Sequence, residues 1–158
     1  MKVKYPLPQS TRWAFMSFWD IPQRSDKDSV YLRRLRVVQT PWFGVMVHWI
    51  HTIDEGPFPH DHPWTWFRTI ILRGGYTEMF YKRFSSFLND AGIAQTWHRW
   101  STHTMHHYNG HQITQIEPST ITLVFHGKRV RKFCFWDKKL GKRRYDTVRD
   151  AEMFDELG

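Results

Sequence analysis

A chain of 158 residues is long enough to bury about two thirds of its unfolded surface, so one domain with a substantial core is expected over residues 1–158. Its single cysteine, Cys134, excludes an intrachain disulfide and a cysteine-based zinc site. A net charge of +8 admits anionic partners, nucleic acid among them, although solvated strand edges are the favoured reading of YLRRLR (31–36), GKRVRK (127–132) and DKKLGKRR (137–144).

There is no run of about 18 apolar residues and no apolar stretch of signal-peptide length in MKVKYPLPQS, so the chain is expected in the cytoplasm, a host's if it is phage-encoded, without a membrane partner. Aromatic residues make up 17%, a level that suits a packed β structure better than a helical bundle. Residues 1–28, polar with proline and scattered aromatics, read as an irregular arm or an edge strand. From Val30 the text turns to β. YLRRLRVVQT alternates in part, PWFGVMVHWIHTI is β-branched and aromatic, and DEGPFP interrupts. TWFRTIIL reads as a strand that returns through Gly74-Gly75 into TEMFYKRF, a hairpin signal because glycine supplies positive φ without strain. FSSFLNDAGIAQ reads as a loop, TWHRWSTHTMHHY as one or two strands, and HQITQIEPSTITLVFHGKRVRKFCFW as three, which places the barrel at 30–136. DTVRDAEMFDELG reads as a helix over 147–157, opened by Thr147 and Asp150 and repeating Val148, Ala151, Phe154 and Leu157 every third position. Many short strands with turns between them predict an all-β antiparallel sandwich or barrel.

The chemistry gathers at HDHPW, residues 60–64. On a strand, residues i and i+2 share a face, so His60 and His62 offer two imidazoles to one point while Asp61 turns away. WHRWSTHTMHHYNGH (97–111) supplies five candidates for a third ligand. No H-x-D or H-x-E occurs anywhere, which disfavours the two-histidine, one-carboxylate oxygenases, and HExxH is absent as well. HHYNGH brings Asn109 too close behind His107 for an H-N-H nuclease.

GPFPHDHPWTWFRTIILRGGY resembles the first motif of the cupin superfamily, in which an H-x-H pair is framed by glycines. Within it, the chain is most similar to small phage and bacterial cupin-like proteins with HDHPW, a following LRGGY, and late residues matching Gly127, Arg131, Phe135 and Trp136. The resemblance spans roughly Tyr31 to Trp136 and implies a double-stranded β-helix, the jelly-roll barrel, with the short C-terminal helix appended. It also implies a third histidine ahead of a T-L-V strand; His111, in that relation to Thr122, Leu123 and Val124, is the choice, with His106 and His107 as alternatives and His98 and His103 left to strand surface or core. Such a set would hold a divalent metal, Fe2+ first and Zn2+, Ni2+ or Mn2+ otherwise, with positions open for substrate. The glutamate common in cupins four or five residues after the second histidine is replaced by Trp66 and Phe67. A simple Gly-Gly hairpin register would pair Arg73 with Tyr76 and set Glu78 opposite Ile71, facing inward as substitute ligand, general base or substrate contact; Arg68, Tyr76 and Tyr81 are further pocket candidates, and Trp64 and Trp66 core or pocket wall. The implied function is a metal-binding protein acting on a small, anionic substrate, first as a three-histidine oxygenase. A cupin isomerase or epimerase of a phosphorylated or nucleotide-linked sugar, and a non-catalytic phage-type binding module, are the alternatives. A homodimer is compatible with all three.

Overall fold

The computed structural model describes residues 13–23, 26, 28–54, 56, 58–131 and 133–145, with side chains through 141. The helix expected at 147–157 lies outside the described residues, as do residues 1–12 of the expected arm. Twelve strands and one short helix follow in order: β1 (Ala14–Pro22), β2 (Val30–Gln39), β3 (Gly44–Ile50), β4 (His60–Asp61), β5 (Trp66–Arg73), β6 (Tyr76–Tyr81), α1 (Phe84–Leu88), β7 (Ile93–Trp97), β8 (Thr102–His106), β9 (Gly110–Ile116), β10 (Thr120–His126), β11 (Cys134–Asp137) and β12 (Lys142–Tyr145). They form two six-stranded sheets, β1-β2-β3-β10-β5-β8 and β12-β11-β4-β9-β6-β7, whose pairings among the described residues are all antiparallel. This is the jelly-roll arrangement, with the apolar faces of the two sheets turned toward one another.

Two local expectations need correction. Gly74-Gly75 does not close a hairpin: β5 pairs with β10 and β8, β6 with β9 and β7, so the two glycines carry the chain from one sheet to the other. Gly74 takes φ +66, and a Cβ on Gly75 would stand 2.4 Å from the carbonyl oxygen of Trp97, so both positions require glycine. The hydroxyl of Thr120 fastens this crossing, accepting from the Gly75 N–H at 3.1 Å. Within FSSFLNDAGIAQ, residues 84–88 form one helical turn, because Phe87 finds a buried place against Tyr81 and Trp136. KRRY at 142–145 pairs with β11 as β12, at the edge of the second sheet.

Inward positions alternate along the first sheet: Leu32, Arg34 and Arg36 on β2, Gly44 and Met46 on β3, Phe67, Thr69 and Ile71 on β5, Thr122, Val124 and His126 on β10. His126 is fully buried, stacked 4.3 Å from Trp64, and its Nδ1 faces the Gly127 carbonyl at 3.0 Å. Burial, above all, holds this imidazole down to about 4, against an ordinary value of 6.5. The unfolded chain therefore takes up a proton that the folded chain refuses, so the stability contributed by neutral burial is complete above pH 6.5 and is lost as pH falls toward 4. Denaturant unfolding across that window should show stability falling with acid, and His126→Gln should shallow the slope by up to about 1.4 kcal/mol per pH unit, one proton's worth. An unchanged slope in the variant would mean that His126 is not buried neutral.

Candidate metal centre

The site is built almost entirely by the second sheet. β4 is only two residues long, yet it lies between β11 and β9, pairing Phe135 with His60 on one side and His60 with His111 on the other. His60 and His111 are therefore cross-strand neighbours, ring centroids 4.6 Å apart, and His62, just past β4, folds over them with its Nε2 2.9 Å from the Nε2 of His111. Ligand atoms of His60, His62 and His111 all lie within 4.8 Å of one another. Gly110 keeps the strand close at this point: a Cβ there would stand 2.6 Å from the Trp136 ring. Trp136 in turn donates from Nε1 to Asp61 Oδ2 at 2.6 Å, so Asp61 faces away from its histidine neighbours and anchors the loop to β11, also pairing with Arg131.

Carboxylates stand behind two of the imidazoles. Glu78, fully buried on β6, accepts from His111 Nδ1 at 2.5 Å and from Trp97 Nε1 at 2.8 Å. Burial would raise its pKa, but the His111 charge and these hydrogen bonds outweigh that and hold it below the ordinary value. An ionised oxygen can only accept, so Nδ1 of His111 carries a proton, and Nε2 is the nitrogen that would present a lone pair to the centre in the neutral ring. Burial also opposes protonation of His111, and Glu78 overcomes it, leaving His111 more basic than usual. Asp54 Oδ2 lies 3.7 Å from His60 Nδ1; this carboxylate is held by the Tyr31 hydroxyl and by the Ile113 N–H at 2.6 Å. Among the described residues no carboxylate stands behind His62, and burial first, then His111, His60 and Arg34, keep it well below its ordinary pKa and neutral.

These donors fit a divalent ion. Three imidazole nitrogens at about 2.0–2.1 Å from an ion would lie about 3 Å from one another, close to the spacing already present between His62 and His111. They border a cavity of about 80 Å³ between the sheets, large enough for a few ordered waters or a small molecule. Phe67 forms its wall, ring centroid 4.0 Å from His62, while Trp66 points outward and Trp64 is buried against His62. Residue 67, one of the two positions at which a cupin-like glutamate was expected, thus faces His62 and His111.

The other anticipated residues divide. Glu78 is inside the barrel as expected, but by way of β6 pairing with β9, and its oxygens lie behind His111, away from the point where the nitrogens meet. Tyr76 lines the cavity with its hydroxyl 3.3 Å from His103 Nε2. Arg68 is not brought to the site: Phe67 and Thr69 take the inward positions of β5, and Arg68 lies on the outer face, bonded to Thr104. Tyr81 packs on Phe87 and Trp136. Of the alternative ligands, His106 is exposed and stacked on Tyr108, and His107 faces the Thr65 carbonyl; His98 is exposed, and His103 is buried against Trp97. Sequence reasoning missed Asp54, in the break DEGPFP, and also Arg34 and His48, the second of which accepts from Arg34 Nε at 2.9 Å. Their inward positions on β2 and β3 were there to be counted, but the alternation is obscured by the arginine-rich text around them.

No protein-family model matches the chain, and no curated protein matches it by sequence. Solved structures do match in fold. KdgF from a Halomonas species aligns at TM-score 0.53 and 13% identity over 74% of this chain and 96% of its own. The polyketide cyclase RemF from Streptomyces resistomycificus aligns at 0.53 and 13%, over 75% and 78%. The Fe(II) form of HppE aligns at 0.53 and 12% over 71% of this chain, which spans 56% of the HppE chain. What the chain shares with these structures is the fold, a two-sheet jelly roll, here with a histidine cluster on its inner wall.

Proposed function

We propose that this chain is a divalent-metal cupin enzyme acting on a small molecule, and that its chemistry is that of a three-histidine, iron-type oxygenase. The observation that carries this reading is the convergence of His60, His62 and His111 on a cavity that Phe67 and Trp64 border without filling. His60, His62 and His111 would hold the ion, which would supply Lewis acidity and one-electron chemistry toward dioxygen. Glu78 fixes the tautomer and ring plane of His111, and the Asp54 carboxylate lies 3.7 Å from His60 Nδ1. The apolar walls at Ile50, Ile113 and Val124 exclude bulk water, and Tyr76 places a hydroxyl on the same cavity. Among the described residues no helix is long and apolar enough to cross a membrane. The structural neighbours include an enzyme named as a cyclase as well as an Fe(II) protein, so a metal-assisted reaction without oxidation is the second reading.

The test is loading followed by a gas probe. Protein purified without chelator and equilibrated separately with Fe(II), Zn(II), Ni(II) and Mn(II) should retain about one ion per chain by elemental analysis. The Fe(II) form should then bind nitric oxide, with the paramagnetic signal of a high-spin iron nitrosyl, which requires an open coordination position. Retention of less than about a tenth of an equivalent of every ion would overturn the metal reading. Metal retention with no nitrosyl signal would remove the oxygenase and leave the non-oxidative reading.

A further inference from the structure

The start of β1 and the turn between β2 and β3 (residues 40–43) carry a dense group of exposed apolar side chains: Trp13, Phe15, Met16, Phe18, Trp42 and Phe43, each 47–69% exposed. The pairing of Ala14 with Gln39 sets the two segments side by side. Trp13 stacks on Phe15 and meets Trp42 edge-on, both with ring centroids 6.3 Å apart, and Phe18 further along the strand stands edge-on to Trp49 at 6.1 Å. None of the six lines the cavity that the histidines border. The core does not call for them either, since Trp19 and Ile21 take the buried positions of β1.

The composition of this face is that of an interface centre. WAFMSFW (13–19) and TPWF (40–43) contain no charged residue, in a chain whose net charge is +8. The first charge along β1 is Asp20, to which Arg33 donates from Nε at 2.7 Å and from Nη2 at 3.1 Å, and the same guanidinium lies over the Phe18 ring. Charge is thereby kept to a rim, while aromatic residues and methionine fill the middle. Nucleic acid, which the net charge admits, finds no cluster of cations among the described residues of this face.

The area matches a dimer. With about 200 Å² to a large side chain, exposures of this size leave roughly 700 Å² of apolar surface on one copy. That exceeds the largest patch of an ordinary monomer, about 300–600 Å², and two such surfaces face to face make about 1,400 Å², inside the range of about 1,200–2,000 Å² for stable interfaces. β1 is the end strand of the first sheet, so a two-fold axis beside it brings the patch of one copy onto the patch of the other; a one-sided contact would leave one of the two patches in water.

We propose that this face joins two copies of the chain in a two-fold dimer, with Trp13, Phe15, Met16, Phe18, Trp42 and Phe43 of each copy buried against the same residues of the other. Dimer formation through this face is independent of the metal reading above.

The test is the mass of the full-length protein in solution, by sedimentation equilibrium and light scattering from about 1 to 100 μM. Wild type should reach twice the mass of one chain in the upper part of that range. Phe15→Glu with Trp42→Glu should weaken self-association at least about a hundredfold, since each copy then brings two carboxylates into an apolar contact, whereas Ile93→Glu, at a similarly exposed residue of β7 in the other sheet, should leave it within about threefold. The substituted side chains are exposed in a single copy, so thermal melting at monomeric dilution should be unchanged; should the double variant melt early, Phe15→Ser with Trp42→Ser takes its place. A wild-type monomer at about 100 μM overturns the proposal, and co-sedimentation of that monomer with phosphatidylcholine vesicles would give the face to a lipid surface instead. A dimer that withstands the double substitution, or that Ile93→Glu breaks as readily, overturns the choice of face.

Discussion

Replacing His62 with alanine is expected to lower divalent-metal affinity by about a thousandfold, roughly 4 kcal/mol, because it removes one of three donors from an open site. This histidine is the cleanest of the three to change. Among the described residues it has no carboxylate behind it, so its loss strands no buried charge there, whereas His111→Ala would leave Glu78 ionised and without its main partner. Glu78→Gln should weaken the metal about ten- to a hundredfold, through orientation of His111 alone, and His107→Ala should change nothing, since that ring faces the Thr65 carbonyl. Competition with a chromophoric chelator measures all three. Wild-type affinity in His62→Ala would remove His62 from the ligand set, and loss in His107→Ala would move the third ligand from His111 to His107.

The second large effect is expected at Phe67. Phe67→Glu puts a carboxylate beside His62 on the wall of the cavity, where three neutral imidazoles leave a divalent ion at its full charge. Metal affinity should rise by about tenfold or more, and binding of a small anion such as glycolate should fall by at least as much, because the new carboxylate both takes the open position and reduces the charge that attracts the anion. Without metal the variant should be less stable than wild type by several kcal/mol, since a carboxylate then replaces a phenyl ring in an apolar contact. Calorimetry and thermal melting, each with and without metal, test this. Unchanged metal affinity in a folded variant would show that residue 67 does not reach the ion.

The strand pattern was readable because its period survives locally. VMVHWI, TWFRTIIL and TITLVF each fix a strand without reference to partners, and HDHPW sets two histidines at the spacing a strand requires. What could not be read locally was partnership. Gly74-Gly75 looks the same to a chain turning back on itself and to one crossing between sheets; the difference lies in Thr120, which is distant in sequence and fastens the crossing. Glu78 reaches the interior under either arrangement, because alternation along β6 alone sends it inward, so the expected orientation arose from a pairing that does not form. Arg68 shows the converse: a residue chosen for its chemistry is sent outside by its parity on β5. Arg34 and His48 went unnoticed for a related reason. In YLRRLR, one arginine faces the interior and its neighbour pairs with Asp20 on the far side, and the sequence marks both with the same letter.

The short strand β4 ties the site to the folding reaction. His60 must find both His111 and Phe135, partners 51 and 75 positions away (111 − 60 and 135 − 60), before the imidazoles have any common centre. Pairings of such separation place a chain among slow folders, on the millisecond-to-second scale, because loop closure is costly before the contacts that reward it exist. A two-residue strand adds few hydrogen bonds of its own, so the segment 58–63 is expected to be among the last to dock and the first to open, with amide exchange faster than in the neighbouring β9. An ion captured there would act as a latch on the least secured strand of the barrel, slowing its opening more than it speeds its formation.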